Sequence, residues 1–247
     1  MKEWETVVEC FSRTRFTVVT DRFPAICGVT TLFKAISDQR NIFVVGLRSA
    51  FLYQRLLWIY DERDEAGKLG PPEKELIWVP RGWQPRLPSW SWIAVDYPVR
   101  MMAADAIPSM FRVVNIERAN PTTFTSYLNG SPLVLRLWGQ LQWFTWPAQL
   151  LDRQRPVKIT LQTSRGQRLI KLDVIIDPGC SIPQNPAGLI VSESTYILRP
   201  PHNIFFLVLE QIDRPEYGFR RIGIGSGLKD AVEIAFMGAI FREITLL

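Results

Sequence analysis

Apolar side chains in the first third of the chain recur at helical spacing. Trp4, Val7, Val8 and Phe11 fall at i, i+3, i+4 and i+7, one face of a helix of about three turns. Asp21 stands where it would cap a second helix carrying Phe23, Ile26, Cys27, Phe33 and Ile36. Pro24 is acceptable in its first turn, where a backbone N–H has no helical partner to lose. Ile42 to Leu47 is a short continuous apolar run and reads as a strand. Phe51, Leu52, Arg55, Leu56 and Ile59 then return to a helical stripe that ends near Tyr60. From Asp61 to Lys74 the chain is charged and holds Gly67, Gly70, Pro71 and Pro72, a surface loop and the clearest internal break. Its acidic start lacks the alternating oxygen ligands and central glycine of a calcium loop.

Beyond the break the period shortens to two. Strands are expected over Trp90–Val95, Met110–Ile116, Leu133–Phe144, Val157–Thr163, Arg168–Ile176, Ile204–Ile212 and Phe219–Ile224, each bounded by Pro, Gly, Asn or Asp. Thr163 to Gln167 reads as a hairpin turn. In Ser89-Trp90-Ser91-Trp92 strict alternation would put both indoles on one face of a strand and both hydroxyls on the other. Lys229 to Phe241 returns to helical spacing before a last strand, Glu243 to Leu247. Closely spaced strands without intervening helices favour a sandwich or barrel. The expected fold class is α+β: a helical segment over residues 1–80 packed on a mainly antiparallel β domain over residues 81–247.

Composition narrows the class without naming a job. The 247 residues are 47% hydrophobic and 21% charged, with nine Trp, which points to a folded chain built on large flat side chains. A net charge of +5 bears on solubility and attraction to anions, not on fold. Most of the excess sits between Arg153 and Lys171. Cys10, Cys27 and Cys180 are too few and too scattered for a disulfide framework or a metal knuckle. The start lacks the apolar run of a signal peptide, and no run reaches the ~20 residues of a membrane helix. A reducing cytoplasm is the expected address, with no membrane contact, and the Asn129-Gly130-Ser131 sequon should stay unused.

Candidate chemistry is sparse. His202, the one histidine, has no G-x-S-x-G elbow to serve, and the scattered Cys exclude a nitrogen–sulfur zinc set. Gly223-Ile224-Gly225-Ser226-Gly227 has the look of a phosphate-cradling turn, but Leu228 stands where the third glycine belongs, so a flexible turn is expected. Trp138, Trp143, Phe144 and Trp146 precede the basic stretch and could form a nucleic-acid platform. An amphipathic hairpin with Trp inward and charge outward is the favoured alternative, and nucleic acid is not an expected partner. No catalytic residue, cofactor or metal ligand is assigned.

Three segments together resemble the region that follows the effector domain in fungal heterokaryon-incompatibility (HET) proteins. The first runs from Trp4 to Val29 and matches at Trp4, Val8, Phe11, Ser12, Phe16, Thr17, Asp21, Phe23, Pro24, Ala25 and Gly28. The second is Gly46-Leu47 with Leu56-Leu57-Trp58, where Arg48 replaces a family Trp. The third is Pro88-Ser89-Trp90-Ser91-Trp92. Near the end, Tyr217 to Gly223, with Arg221 and Gly223, looks like the family's Y-x-R-I-G. In that family the preceding HET domain is related to TIR-type signalling folds and drives cell death on nonself fusion. The resemblance implies a non-catalytic recognition or regulatory region, present without its HET domain as in a truncated or effector-less paralogue. A protein partner would follow: a HET-type domain or a second copy. The N-terminal segment, with Trp4, Phe11, Phe16, Phe23, Phe33, Phe43, Phe51 and Leu52, should then leave an apolar patch uncovered. From another class, the chain could be a cytosolic β-rich enzyme or a carbohydrate-type binding module whose site is built from residues distant in sequence.

Overall fold

A computed structural model describes residues 2–14, 16–18, 21–36, 42–49, 52–61, 87–95, 97–102, 106–108, 111–117, 133–144, 157–163, 166–177, 180, 183, 186–194, 203–212 and 218–247. His202, Trp146, Phe51, the 129–131 sequon and residues 62–74 lie outside them, as do the side chains of the basic stretch from Arg153 to Lys171.

Helix α1 (Lys2–Arg13) turns Trp4 and Val8 inward, and α2 (Arg22–Ile36) turns Phe23 and Ile26 inward. A tight hairpin, β1 (Phe43–Val44) and β2 (Leu47–Arg48), leads to the short α3 (Leu52–Arg55). Strand β3 (Trp58–Tyr60) pairs antiparallel with β4 (Val99–Met101). The larger sheet contains β5 (Ala106–Pro108), β6 (Arg112–Glu117), β7 (Val134–Trp143), β8 (Val157–Thr163), β9 (Gly166–Ile176), β10 (Ala187–Ser194), β11 (Asn203–Ile212), β12 (Gly218–Leu228) and β13 (Ile240–Leu246). Helix α4 (Lys229–Ala235) connects the last two.

Five of these strands close on themselves. The ring runs β7–β10–β11–β12–β13 and back to β7, with every pairing antiparallel except β12–β13. The chain is therefore α+β, with N-terminal helices packed on a β-rich domain built around a closed mixed barrel. Strict alternation in β7 sends Leu135, Leu137 and Leu141 to the side that also receives Leu189, Leu207, Ile224, Ile244 and Leu246. The same apolar cluster continues without a break into Trp4, Val8, Phe23, Trp58, Trp90 and Trp92. Strand β11 is buried on both faces: Phe205, Leu207 and Leu209 join this core, while Ile204, Phe206 and Val208 face a second one with Val174, Val232 and Phe236. Two-sided burial explains its unbroken apolar run.

Several local expectations are overturned. Trp90–Val95 is not a strand: Ser89 to Ser91 turn, and Trp92–Ala94 forms a single 3-10 turn. Ile42–Leu47 folds back on itself as the β1–β2 hairpin. The stripe from Phe51 to Ile59 is helical only as far as Arg55, because Trp58–Tyr60 is claimed by β4. Gly223 to Gly227 is neither a flexible turn nor a phosphate cradle but the middle of β12. A Cβ at Gly223 would lie 2.3 Å from the carbonyl oxygen of Ile175 on β9, and one at Gly225 would lie 2.1 Å from the Phe206 ring. These glycines admit neighbours; they do not loosen the chain. The helix expected to Phe241 stops at Ala235, since Gly238 with φ +89° cannot continue it. Strand β10 went unforeseen. Its Gly188 lies under Phe144 and Phe236, which fill the space a side chain would occupy. The expected inward Trp is also wrong: Trp138 lies on the outward face of β7, and Trp143 is 39% exposed. Most of the N-terminal aromatics are covered, Trp4, Phe23 and Phe43 fully and Phe11 and Phe33 in part.

Two glycine substitutions should move stability in opposite directions. Gly223→Ala presses against rigid backbone and should cost roughly 1–3 kcal/mol or more. Gly28→Ala, in the α2 interior with nothing within 4 Å of the new methyl, should gain up to about 1 kcal/mol from helix propensity. Thermal melts of both variants check this; a stable Gly223→Ala protein would refute the close approach of β9 to β12.

Candidate functional site

The segments that carry the HET resemblance meet in space. The tip of the β1–β2 hairpin holds Val45 at φ +47° and Gly46 at φ +73°, the double left-handed conformation of a two-residue turn. Such a turn normally faces water, which satisfies its carbonyls. Here both tip residues are buried. The Gly46 carbonyl instead accepts the indole N–H of Trp4 at 3.3 Å and that of Trp92 at 3.1 Å, and the Val45 carbonyl accepts the Ser91 hydroxyl at 2.7 Å. The Ser91 oxygen in turn accepts the backbone N–H of Ile93 at 3.2 Å and so caps the 3-10 turn.

Pro88-Ser89-Trp90 extends this network to the barrel. The Pro88 carbonyl accepts the N–H of Ser91, and the Trp90 carbonyl accepts the Trp58 indole at 3.1 Å. Ser89 donates its hydroxyl to the Leu247 carbonyl and accepts the backbone N–H of Arg221 at 3.0 Å. Arg221 sits beside a β-bulge in β12, at the register shift opposite Val208 and Leu209, and follows the inward-facing Phe219 by two residues. The guanidinium lies 3.4 Å from the centroid of the Trp58 ring and donates to the Trp58 carbonyl at 2.6 Å and to Asp177 at 3.3 Å.

Burial dominates the electrostatics of this pair. It pushes the Asp177 carboxyl up to about 6, an effect that the Arg221 cation offsets only in part. Burial also lowers Arg221, against the pull of Asp177, Tyr97 and Cys180. The Tyr97 phenol is raised well above its ordinary value, first by burial and then by Asp177. A carboxyl group, a phenol held in its neutral form and a guanidinium thus stand close together, but all are sealed from solvent. Two of the three polar side chains of Pro88–Trp92 and Arg221, the two serines, spend their hydrogen bonds on backbone. The arrangement joins segments; it does not present a reacting group to a substrate.

The other motif residues are placed as follows. Ser12 bridges the Val99 N–H and carbonyl, fixing α1 to β4. Leu47 and Trp58 are fully buried, and Pro88 is buried. Pro24 and Ala25 lie in the first turn of α2, after Asp21, and both Asp21 and Thr17 are exposed. Nothing in the structure explains the glycine at position 28. Asp177 and Tyr97 escaped sequence reasoning: Asp177 is 44 residues from Arg221, and no spacing rule connects them. Among the described residues no group of three or more His, Cys, Asp or Glu could hold a metal, and no helix is long and apolar enough to cross a membrane.

Two measurements test this geometry. Trp92→Ala should cost roughly 3–5 kcal/mol. Trp4→Phe and Trp92→Phe should each be mild, since the other indole still serves the Gly46 carbonyl. The double variant should cost more than their sum, because it leaves that oxygen bare; strict additivity in denaturant melts would refute the shared acceptor. The second concerns pH. The unfolded Asp177 carboxyl titrates near 3.8 and the folded one near 6, so in that window the folded chain holds a proton the unfolded chain has lost. Its contribution to stability is full below the lower value and is lost as pH rises through the upper one. The melting temperature of wild type minus that of Asp177→Asn should therefore fall between about pH 4 and about pH 7. A difference that rises over the same range would mean that attraction to Arg221 outweighs burial.

No protein-family model, no curated protein and no solved structure matches this chain.

Proposed function

We propose that this chain is a non-catalytic recognition or regulatory region of the fungal heterokaryon-incompatibility type, acting in the cytoplasm through a protein partner that carries a HET domain. The supporting observation is the convergence of the resembling segments. Trp4, Gly46, Trp58, the Pro88–Trp92 stretch and Arg221 come from four parts of the chain and serve one another's hydrogen bonds. A motif set that closes on itself in this way is a scaffold signature, and it leaves recognition to the surface. On that surface the N-terminal segment offers an apolar row: Leu32 is 70% exposed and Ile36, one helical turn on, is 83% exposed, with Val18 and Ile42 also uncovered. These side chains, rather than the aromatics, are the contact the reading requires.

The test mixes the purified chain with a separately expressed HET domain in sedimentation velocity runs. A complex should form, and Leu32→Glu with Ile36→Glu should weaken it by about tenfold or more at unchanged melting temperature. The chain alone should release no nicotinamide from NAD. No complex, or one indifferent to both charges, defeats the docking surface, and NAD turnover abolished by a point mutation defeats the non-catalytic reading.

A further inference from the structure

Helix α2 is apolar on both sides. Phe23 and Ile26 face the core, and Phe33 packs against it in part. On the opposite side Ala25, Gly28, Leu32 and Ile36, spaced three, four and four residues apart, form one outward row without a charge. The two charged residues of the helix lie off this row, Arg22 buried over the Trp92 ring and Lys34 half-buried on the flank. Thr31, beside the row, turns its hydroxyl back to the Cys27 carbonyl at 2.9 Å. All of α2 is described, and the row is uncovered: Leu32 is 70% and Ile36 83% exposed, and a Cβ at Gly28 would meet nothing within 4 Å. A helix that is hydrophobic on every side belongs in an interior.

The shape of the row points to its cover. Its N-terminal half, Ala25 and Gly28, is a hollow; its C-terminal half, Leu32 and Ile36, is a pair of knobs. A glycine in a helix interior costs stability, and this one makes room for nothing in its own chain. Close approach by another backbone gives it a use. A second α2 running antiparallel has the complementary profile. A two-fold axis at Thr30 sets Leu32 against Gly28 of the second copy and Ile36 against Pro24 and Ala25, and symmetry makes each contact twice.

Charge selects the direction. Asp21 stands exposed before the first turn of α2 and Lys34 in its last turn. An antiparallel pair brings acid and base to the same end and opposes the two helix dipoles, whereas a parallel pair sets like beside like. Area sets the strength. A helix of 15 residues is about 22 Å long and about 10 Å wide, so its footprint falls well short of the ~800 Å² that each partner gives to a stable complex. Such a pair forms and parts readily. We propose that two copies of this chain pair through α2, antiparallel about a two-fold axis at Thr30, and that the pair occludes the row which, on the reading proposed above, docks the HET domain. The pairing stands on α2 itself; its regulatory consequence rests on that reading.

Sedimentation equilibrium of the full chain up to about 1 mM should show a reversible monomer–dimer equilibrium. Gly28→Leu fills the hollow and should weaken the dimer by about tenfold or more, although it adds apolar surface and improves the helix. Gly28→Leu with Leu32→Ala exchanges knob and hollow across the axis and should restore most of that loss. Leu32→Glu with Ile36→Glu should abolish association at unchanged melting temperature. A chain that stays monomeric throughout would overturn the proposal. So would a dimer that Gly28→Leu leaves alone or strengthens, or one that survives the paired glutamates. Adding the separately expressed HET domain separates the pairing from the proposed function. A complex formed by a chain that never dimerises defeats the pairing and leaves the function standing; a dimer that ignores the HET domain does the reverse. Where both form they should exclude each other, and a species of two chains with a HET domain would defeat the occlusion.

Discussion

A carbonyl oxygen sealed from water needs a donor, and leaving it without one costs about 1–3 kcal/mol. Much of this structure follows from that requirement. The buried stretches that precede the barrel strands include some that are not regular: a hairpin tip, a 3-10 turn and the segment before it. Regular helices and sheets satisfy their own backbone; these stretches cannot. Indole N–H groups and serine hydroxyls meet the need, since each brings a donor on a side chain otherwise fit for a packed interior. Gly46, Val45, Trp58, Trp90 and Leu247 each have a carbonyl held by a Trp, Ser or Arg side chain. The indoles of Trp4, Trp58 and Trp92 thus serve to bury irregular backbone.

Arg221 carries the same logic into charge. An isolated guanidinium would not tolerate full burial, but this one has a carboxylate, a carbonyl and an indole face around it. Breaking such a pair is far costlier than the net stability it provides, because one ion is left stranded. The cluster therefore specifies which surfaces meet. Trp58 from the N-terminal third, Ser89 and Asp177 can all be reached by Arg221 in only one docking of the helical part on the barrel.

The sequence made some of this legible and hid the rest for physical reasons. Period-two alternation in β7 and the continuous apolar run of β11 report one-sided and two-sided burial, and both strands were foreseen. The helical face of Trp4, Val8 and Phe11 was equally plain. Pro88-Ser89-Trp90-Ser91-Trp92 misled because polar–apolar alternation has two physical sources. A strand produces it, and so does a turn whose hydroxyls cap backbone while its indoles pack. Glycine misled similarly in β12. At Gly223 and Gly225 the absent side chain makes room for Ile175 and Phe206, information that lies in those distant residues and not in the run itself. Asp177 was invisible as a partner for Arg221 because their meeting depends on the β12–β9 pairing.

The Ser89 hydroxyl binds a carbonyl 158 residues later in the chain, and Arg221 reaches back 163 residues to Trp58. On a ribosome, α1, α2 and the hairpin emerge long before either partner exists. Until β12 and β13 are made, the Trp58 carbonyl lacks its Arg221 donor and the Ser89 hydroxyl lacks its Leu247 acceptor. The N-terminal third must therefore wait, loosely collapsed and open to misassociation, for β12 and β13 to clear the exit tunnel. Synthesis order, rather than any local preference, then decides when the molecule can close, and a stalled or shortened chain would be a ready client for chaperones.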